Sequence, residues 1–574
     1  MQNSVAFYPM RKTRDIRDLL RQSVELYGDR PAFRLKNSSG EFYDVTYKNF
    51  LHEVNCLGTE HMNSGLKNVK IAVMGANSYK WMLSYMSVVC GAGVVVPIDK
   101  DLPVDDVCNI LKVSDTKAIF LDKKSAVKIL KENSDIAKEV KFICFDDIRS
   151  EYPDTDYFDE YFSRGKERFE KGNDEYLNRE IDPEALGVLL FTSGTTGMAK
   201  GVMLCQRNIC ADIYLLSGVV KINPTDKVLS ILPLHHTYEC TSLTLMLYSG
   251  ACISFCEGLR YVMKNLQEVR PTLFITVPLM LEKVHAGIMK KVDAKKGRKL
   301  IFGVGKALSN VGNALGLDIS KKVFAEIQKV FGGELRLIIA GAAPMNPDIA
   351  KDFMSFGIPL YLGYGLTECA PLVIGNNDRV SLSDSVGVPL PEVEVKIINP
   401  DENGIGEICV RGPMVMLGYY NDPEETAKVL SEDGWFRTGD LGSVDENGHY
   451  RISGRIKNVI VTKNGKNIYP EEVEFHLNKS PLISESLVVG IESEENDDIL
   501  VAAKIFPNLE EITKELKKQS PTIEEIKSVI KNVVRDVNKK LPSYKAIKSF
   551  DIRETEFVKT TTQKIRRHAE NIKN

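Results

Sequence analysis

The run Phe191-Thr-Ser-Gly-Thr-Thr-Gly-Met-Ala-Lys-Gly201 sets three glycines, four hydroxyl side chains and a lysine behind the apolar stretch Leu186–Phe191. Such a ribbon can turn many backbone N–H groups and hydroxyls toward one anion, which is what wrapping a polyphosphate requires. Thr192, Ser193, Gly194, Thr195, Thr196, Gly197 and Lys200 are therefore the candidate phosphate contacts. This is not a Walker A loop: the spacing from Gly194 to Lys200 is wrong, and Gly201 stands where Ser or Thr belongs. Val202-Met-Leu204 reads as a second strand, so no helix dipole anchors the anion here.

Further constellations follow along the chain. Leu232-Pro-Leu-His-His-Thr-Tyr-Glu239 places two histidines on an apolar segment, a pattern that by itself fits packed core as well as chemistry. Ala340-Gly-Ala-Ala-Pro344 ends an apolar strand in small residues, which alone let a flat ring approach the backbone. Tyr364-Gly-Leu-Thr-Glu368 carries a carboxylate suited to a hard cation that neutralises phosphate charge. Trp435-Phe-Arg-Thr-Gly-Asp440, Gly454-Arg-Ile-Lys457, the run from Val461 to Glu474 and Lys559-Thr-Thr-Thr-Gln-Lys-Ile-Arg566 complete the set.

The elements that must position these residues are those of an α/β protein. Short apolar strands such as Val69–Gly75, Val94–Ile98, Ala118–Leu121 and Phe274–Val277 alternate with helix-length segments, which favours mainly parallel sheets in a large N-terminal domain over residues 1–453. From about 385 to 453 short strands and Gly-rich turns predict a small antiparallel β subdomain. Residues 454–574 read as a small α+β C-terminal domain, with an amphipathic helix over Thr522–Leu541. The charge-rich segments Ser150–Glu184, Lys290–Lys299 and Leu509–Glu525 read as solvated faces or surface loops.

Composition narrows the functions. Lys and Arg number 75 against 78 Asp and Glu, a net charge of −3 that argues against nucleic-acid binding. Eleven cysteines, with no CxxC pair, argue against a disulfide scaffold or a zinc site, and Cys205, Cys210, Cys252 and Cys256 read as reduced core thiols. The start of the chain lacks an apolar export signal, and the uncharged run Trp81–Ile98 reads as a buried helix, a Gly turn and a core strand rather than a membrane span. A cytoplasmic protein without a transmembrane segment is expected, with room for peripheral membrane contact.

Taken in order, these motifs resemble those of the adenylate-forming enzymes, the superfamily of acyl-CoA synthetases, luciferases and nonribosomal adenylation domains; the resemblance runs from about residue 15 to 570. It implies ATP and CoA as substrates and Mg²⁺ as cofactor. It places His236 near the acyl carboxylate, Gly341, Ala342 and Ala343 against adenine, and Tyr364 with Gly365 on the other side of the ring. Thr367 would meet the α-phosphate, Glu368 would hold Mg²⁺, and Asp440 and Arg455 would meet the ribose. Lys457 falls on the interdomain hinge, Lys463 and Gly465 on the loop that passes the pantetheine arm, and Lys564 on the catalytic lysine. Val558 and Gln563 depart from the usual lysine motif, where Pro and Gly stand.

The LPLxHxxE pattern and the segments between about His285 and Phe331 and over Ser150–Glu184 most resemble the long-chain fatty acyl-CoA synthetases. Transfer to acyl carrier protein, or a different carboxylic acid, is the alternative within the class. A binding or regulatory protein with a dead site is disfavoured because Lys564, Glu368 and Thr192–Gly197 are intact.

Overall fold

The structure, a computed structural model, describes residues 5–192, 200–293, 302–307, 320–462, 466–492, 499–559 and 565–567. Contacts divide the chain into two compact units, Met1–Glu394 with Val410–Phe436, and Val395–Cys409 with Arg437–Asn574.

The first unit is built on two large sheets. An eight-stranded sheet runs Gly418–Tyr419, Lys200–Cys205, Leu186–Thr192, Gly93–Ile98, Val69–Met74, Thr116–Leu121, Lys141–Cys144, Asp156–Tyr157. From Leu186–Thr192 onward its strands are parallel, and the first two close one edge antiparallel. A nine-stranded sheet runs Val388–Pro389, Leu372–Gly375, Leu360–Gly365, Leu337–Ala340, Leu273–Thr276, Lys227–Ser230, Cys252–Phe255, Pro31–Lys36, Phe42–Thr46. Its centre is parallel as well.

Strands such as Val94–Ile98 are near-continuous apolar runs because both faces of a parallel sheet are covered. One core packs Phe274, Phe331, Phe353 and Phe356 against the larger sheet; another packs Ile110, Ile119, Phe142 and Leu189 against the smaller.

The uncharged run near Trp81 folds as its composition predicts. Helix Tyr79–Ser87 starts at Ser78, whose side chain accepts from Trp81 N, and a π-turn at Val88–Ala92 leads into strand Gly93–Ile98. Gly91 is obligatory there: its φ is +143°, and a Cβ would lie 2.1 Å from the Arg17 guanidinium. Arg17 is itself buried, and the carbonyls of Cys90, Tyr176 and Arg179 accept from it. Among the described residues no helix is long and apolar enough to cross a membrane.

The Ser150–Glu184 segment is more structured than its composition suggests. It holds helix Phe158–Glu170, and Tyr161 and Tyr176 are fully buried. Two of its arginines pair with a buried carboxylate: Glu60 takes Arg164 at 2.9 Å and also Arg168. The cysteines are unpaired as expected, with Cys205 and Cys210 buried; Cys252 and Cys256 are only partly so.

In the second unit a four-stranded sheet, Glu394–Ile398, Gly406–Arg411, Phe436–Val444 and Tyr450–Arg455, contributes most of its residues, with the last two strands antiparallel. A three-stranded sheet pairs Ile483–Glu492 with Ile499–Pro507 antiparallel and adds Ser549–Ile552 in parallel. Helices Pro470–Asn478 and Ile523–Asn538 bury Val473, Leu477, Ile526, Ile530 and Val534 in its core. Thr522 and Glu525 form a reciprocal capping box that starts the second of these helices.

Candidate active site

Four parallel strands of the nine-stranded sheet end in register, with Thr276 beside Ala340 and Ala340 beside Leu362. From that one edge they deliver Leu232–His236, Gly341–Ala343 and Tyr364–Glu368. This is the carboxyl edge, where open α/β sheets bind ligands.

The small residues are there because the space is small. A Cβ on Gly341 would stand 3.3 Å from Gly363 O, and one on Gly365 only 2.2 Å from Pro371 O. Ala342 adopts φ +69°, and Tyr364 is 8% exposed. Tyr238 ties the edge together, its hydroxyl lying 3.2 Å from both Thr276 O and Ile339 O on neighbouring strands.

His236 is the N-cap of helix Thr237–Ser249 and is half-buried, its ring 4.1 Å centroid to centroid from His235. His235 lies deeper. Burial lowers the His235 pKa to about 4, so it is neutral; among the described residues its Nε2 makes no hydrogen bond, with Asp99 Oδ2 3.6 Å away. His235 lines a narrow pocket, with room for about one water, together with Tyr85, Pro97, Leu190, Leu234 and Cys240. Glu239 is fully buried beneath, accepting from the Ser230 hydroxyl at 2.5 Å, and burial pushes its pKa up to about 8.

Thr367 and Glu368 sit in the 3₁₀ turn Thr367–Cys369, pinned from behind where Thr241 Oγ1 donates to Ala370 O and Leu372 N donates to buried Asp212. Glu368 Oε1 accepts from the Tyr419 hydroxyl at 3.0 Å. Tyr419 also lies under Lys200, with Nζ 5.0 Å from the ring centroid, and Lys200 pairs with Glu425 at 2.6 Å. That pairing holds the Glu425 carboxyl down to about 2. Thr192 and Lys200 face each other across the antiparallel pair on either side of residues 193–199.

The donor set at Glu368 can be tested against a cation. Among the described residues no group of three or more His, Cys, Asp or Glu converges on a metal position. A single carboxylate does not suit zinc. It does suit Mg²⁺, which is commonly held by one or two carboxylates together with substrate phosphates.

In the second unit Asp440 lies opposite Arg455, Nε to Oδ1 at 2.9 Å, and Lys457 is exposed in the turn Ile456–Asn458. Lys559 pairs with Glu485, and Arg567 reaches Glu474 Oε2 at 2.5 Å, so the chain is anchored on both sides of the lysine motif. Lys564 itself lies outside the described residues, as do Ser193, Gly194, Thr195, Thr196, Gly197, Lys463 and Gly465.

Sequence reasoning missed Tyr419, Glu425 and Tyr238. The first two belong to Gly418-Tyr-Tyr-Asn-Asp-Pro-Glu-Glu-Thr426, where Asp422, Pro423 and the acids signal only a helix start.

The sequence matches the AMP-binding enzyme family over residues 20–420 and the AMP-binding enzyme C-terminal domain over residues 457–571. The chain belongs to the AMP-binding enzyme family, the adenylate-forming superfamily that its motifs resemble. It is 29% identical over 553 residues to fatty acyl-CoA synthetase B of Dictyostelium discoideum, spanning 90% of this chain and 80% of that one. A chloroplastic long-chain-fatty-acid–[acyl-carrier-protein] ligase of Arabidopsis thaliana is 28% identical over 566 residues, spanning 86% and 76%. Among solved structures, the anthranilate CoA ligase AuaEII in complex with anthranoyl-AMP shares the fold, with a TM-score of 0.75 at 18% identity over 98% of this chain and 97% of that one.

Proposed function

We propose that this protein activates a long-chain fatty acid with ATP and transfers the acyl group to CoA. In the first step the carboxylate attacks the α-phosphorus, giving acyl-adenylate and pyrophosphate. In the second the CoA thiol displaces AMP, giving acyl-CoA and releasing a proton. The observation that carries the reading is the shared carboxyl edge, where a floor of small residues at Gly341–Ala343 adjoins Tyr364 and the Glu368 carboxylate.

In this reading Gly341, Ala342 and Ala343 leave room for the adenine ring and Tyr364 stacks on it. Thr367 donates to the α-phosphate, and His236 orients the acid. Thr192–Gly197 and Lys200 hold the polyphosphate by backbone N–H groups and charge. Glu368 would hold Mg²⁺, which when bound supplies positive charge to the phosphates. Asp440 accepts from the ribose hydroxyls, with Arg455 beside it. Lys564 stabilises the charge that gathers between carboxylate and α-phosphate, a step governed by positioning and electrostatics. A turn about Lys457 then exchanges Lys564 for the Lys463–Gly465 loop and admits the thiol. The division at 453/454 belongs to this proposal, as does a cytoplasmic setting, which the unpaired cysteines support.

One panel tests the reading. Acids from C2 to C18 are assayed for pyrophosphate release with ATP, then for thioester with CoA and with acyl carrier protein. C12–C18 acids with CoA should give the highest kcat/KM; acetate or an aromatic acid outperforming them sinks the long-chain assignment. Carrier protein is the second reading, favoured by the similarity to the Arabidopsis thaliana ligase.

A further inference from the structure

We infer that Tyr419 is a positioning residue that sets the Glu368 carboxylate and the Lys200 ammonium in one fixed arrangement. The inference rests on the reading that Glu368 holds the cation.

Residues 416–420 form a strap with two attachments. Met416 N donates to the backbone carbonyl of Glu368 at 2.8 Å, so the strap grips the main chain of the residue whose side chain Tyr419 contacts. Leu417 N and Tyr420 N donate to Met203 O and Gly201 O, at 2.9 and 2.7 Å, and Tyr419 registers with Val202. The strand that begins at Lys200 and the turn that carries Glu368 are thus fastened to the same short segment.

The tyrosine adds a side-chain link at each end. Its hydroxyl donates to Glu368 Oε1 at 3.0 Å, and its ring face lies 5.0 Å from Lys200 Nζ. With Oε1 engaged by the hydroxyl, Oε2 is the oxygen assigned to the cation.

Glu425 holds the other partner. Its helix, Pro423–Val429, is capped by Asp422, which accepts from Glu425 N, and Thr426 Oγ1 accepts from Tyr419 N at 2.9 Å. The helix and the strap therefore move together, and the 2.6 Å Lys200–Glu425 pair fixes the ammonium above the ring.

Partners that orient a metal-binding carboxylate typically change metal affinity by 10–100-fold when removed. Tyr419→Phe keeps the ring and removes only the hydroxyl. Mn²⁺ binding to the full-length protein with α,β-methylene-ATP, read by electron paramagnetic resonance, should weaken about 10-fold, while the melting temperature is held. The Mg²⁺ concentration for half-maximal adenylation should rise in parallel, with kcat at saturating Mg²⁺ retained. A lower melting temperature with unchanged Mn²⁺ affinity makes the tyrosine merely structural and overturns the inference. Glu368→Gln is titrated alongside. If it weakens Mn²⁺ binding and Tyr419→Phe does not, the role of Tyr419 is refuted alone. If Glu368→Gln leaves Mn²⁺ affinity unchanged, the cation sits elsewhere and the underlying reading fails with it.

Discussion

Asp440 and Arg455 face one another across an antiparallel strand pair, joined at 2.9 Å, with Asp440 buried and Arg455 more than half exposed. The arginine side chain is the solvent-facing partner and the aspartate the buried one. Asp440→Ala should raise KM for ATP by about 10-fold or more, since hydrogen bonds to a charged acceptor are worth roughly 1.5–3 kcal/mol. Arg455→Ala should have the smaller effect and leave the melting temperature nearly unchanged. Equal effects of the two on KM would show that the pair, not the acid, recognises the ribose.

Glu239 gives a pH dependence with a definite sign. In an unfolded chain this carboxyl titrates at about 4.3; in the fold, burial raises it to about 8. The folded state keeps a proton that the unfolded state releases between those values. The stabilisation is therefore fullest below the unfolded value and is lost as pH rises to about 8, with a slope approaching ~1.4 kcal/mol per pH unit. Glu474, raised to about 7 by burial in the second unit, adds a slope of the same sign at lower pH. Glu239→Gln should flatten the first unit's urea midpoints between pH 7 and 8.5, and an unchanged slope would mean the carboxyl is ionised in the fold.

Gly365 and Gly448 make a matched pair of substitutions. At Gly365 a Cβ would press on the Pro371 carbonyl at 2.2 Å, with no flexible side chain to give way. Gly365→Ala should shift the Thr367–Cys369 turn and cut adenylation by roughly 10²-fold, the scale of a misplacement of about 1 Å. Gly448 has φ +82° but nothing within 4 Å. Gly448→Ala should cost stability of only about 1 kcal/mol and leave turnover intact. Full activity in Gly365→Ala would remove that turn from the chemistry.

The half-reactions separate the two lysines. Lys564→Ala should slow adenylation by about 10²–10³-fold, as removal of a preorganised charge does, while thioester formation from supplied acyl-adenylate continues. Lys457→Pro, with φ locked near −65°, should spare adenylation and stall transfer. If Lys564→Ala slows both steps alike, exchange of the two segments about Lys457 is wrong.

The parallel sheets, the C-terminal helix and the order of the motifs were legible because each has a local signature: apolar runs such as Val94–Ile98, the amphipathic pattern over Thr522–Leu541, the small residues after Ala340. The helix at Phe158–Glu170 was hidden because its charge-rich composition reads as surface, whereas Arg164 and Arg168 pair with buried Glu60, a contact about 100 positions away. Tyr419 was hidden for a related reason. Its partners Lys200 and Glu368 are far apart in sequence and meet only where the strand after the phosphate loop is completed by an added edge strand.

The bridging hydroxyl of Tyr238, within 3.2 Å of carbonyls on two adjacent strands, closes the mouth of the sheet like a clasp. Strand ends held this way cannot splay independently. Bulkier or longer acids must then be accommodated by rotating side chains and sliding helices, so plasticity toward the acid is a property of the helical layer, and variants that widen acceptance belong there rather than on the strands.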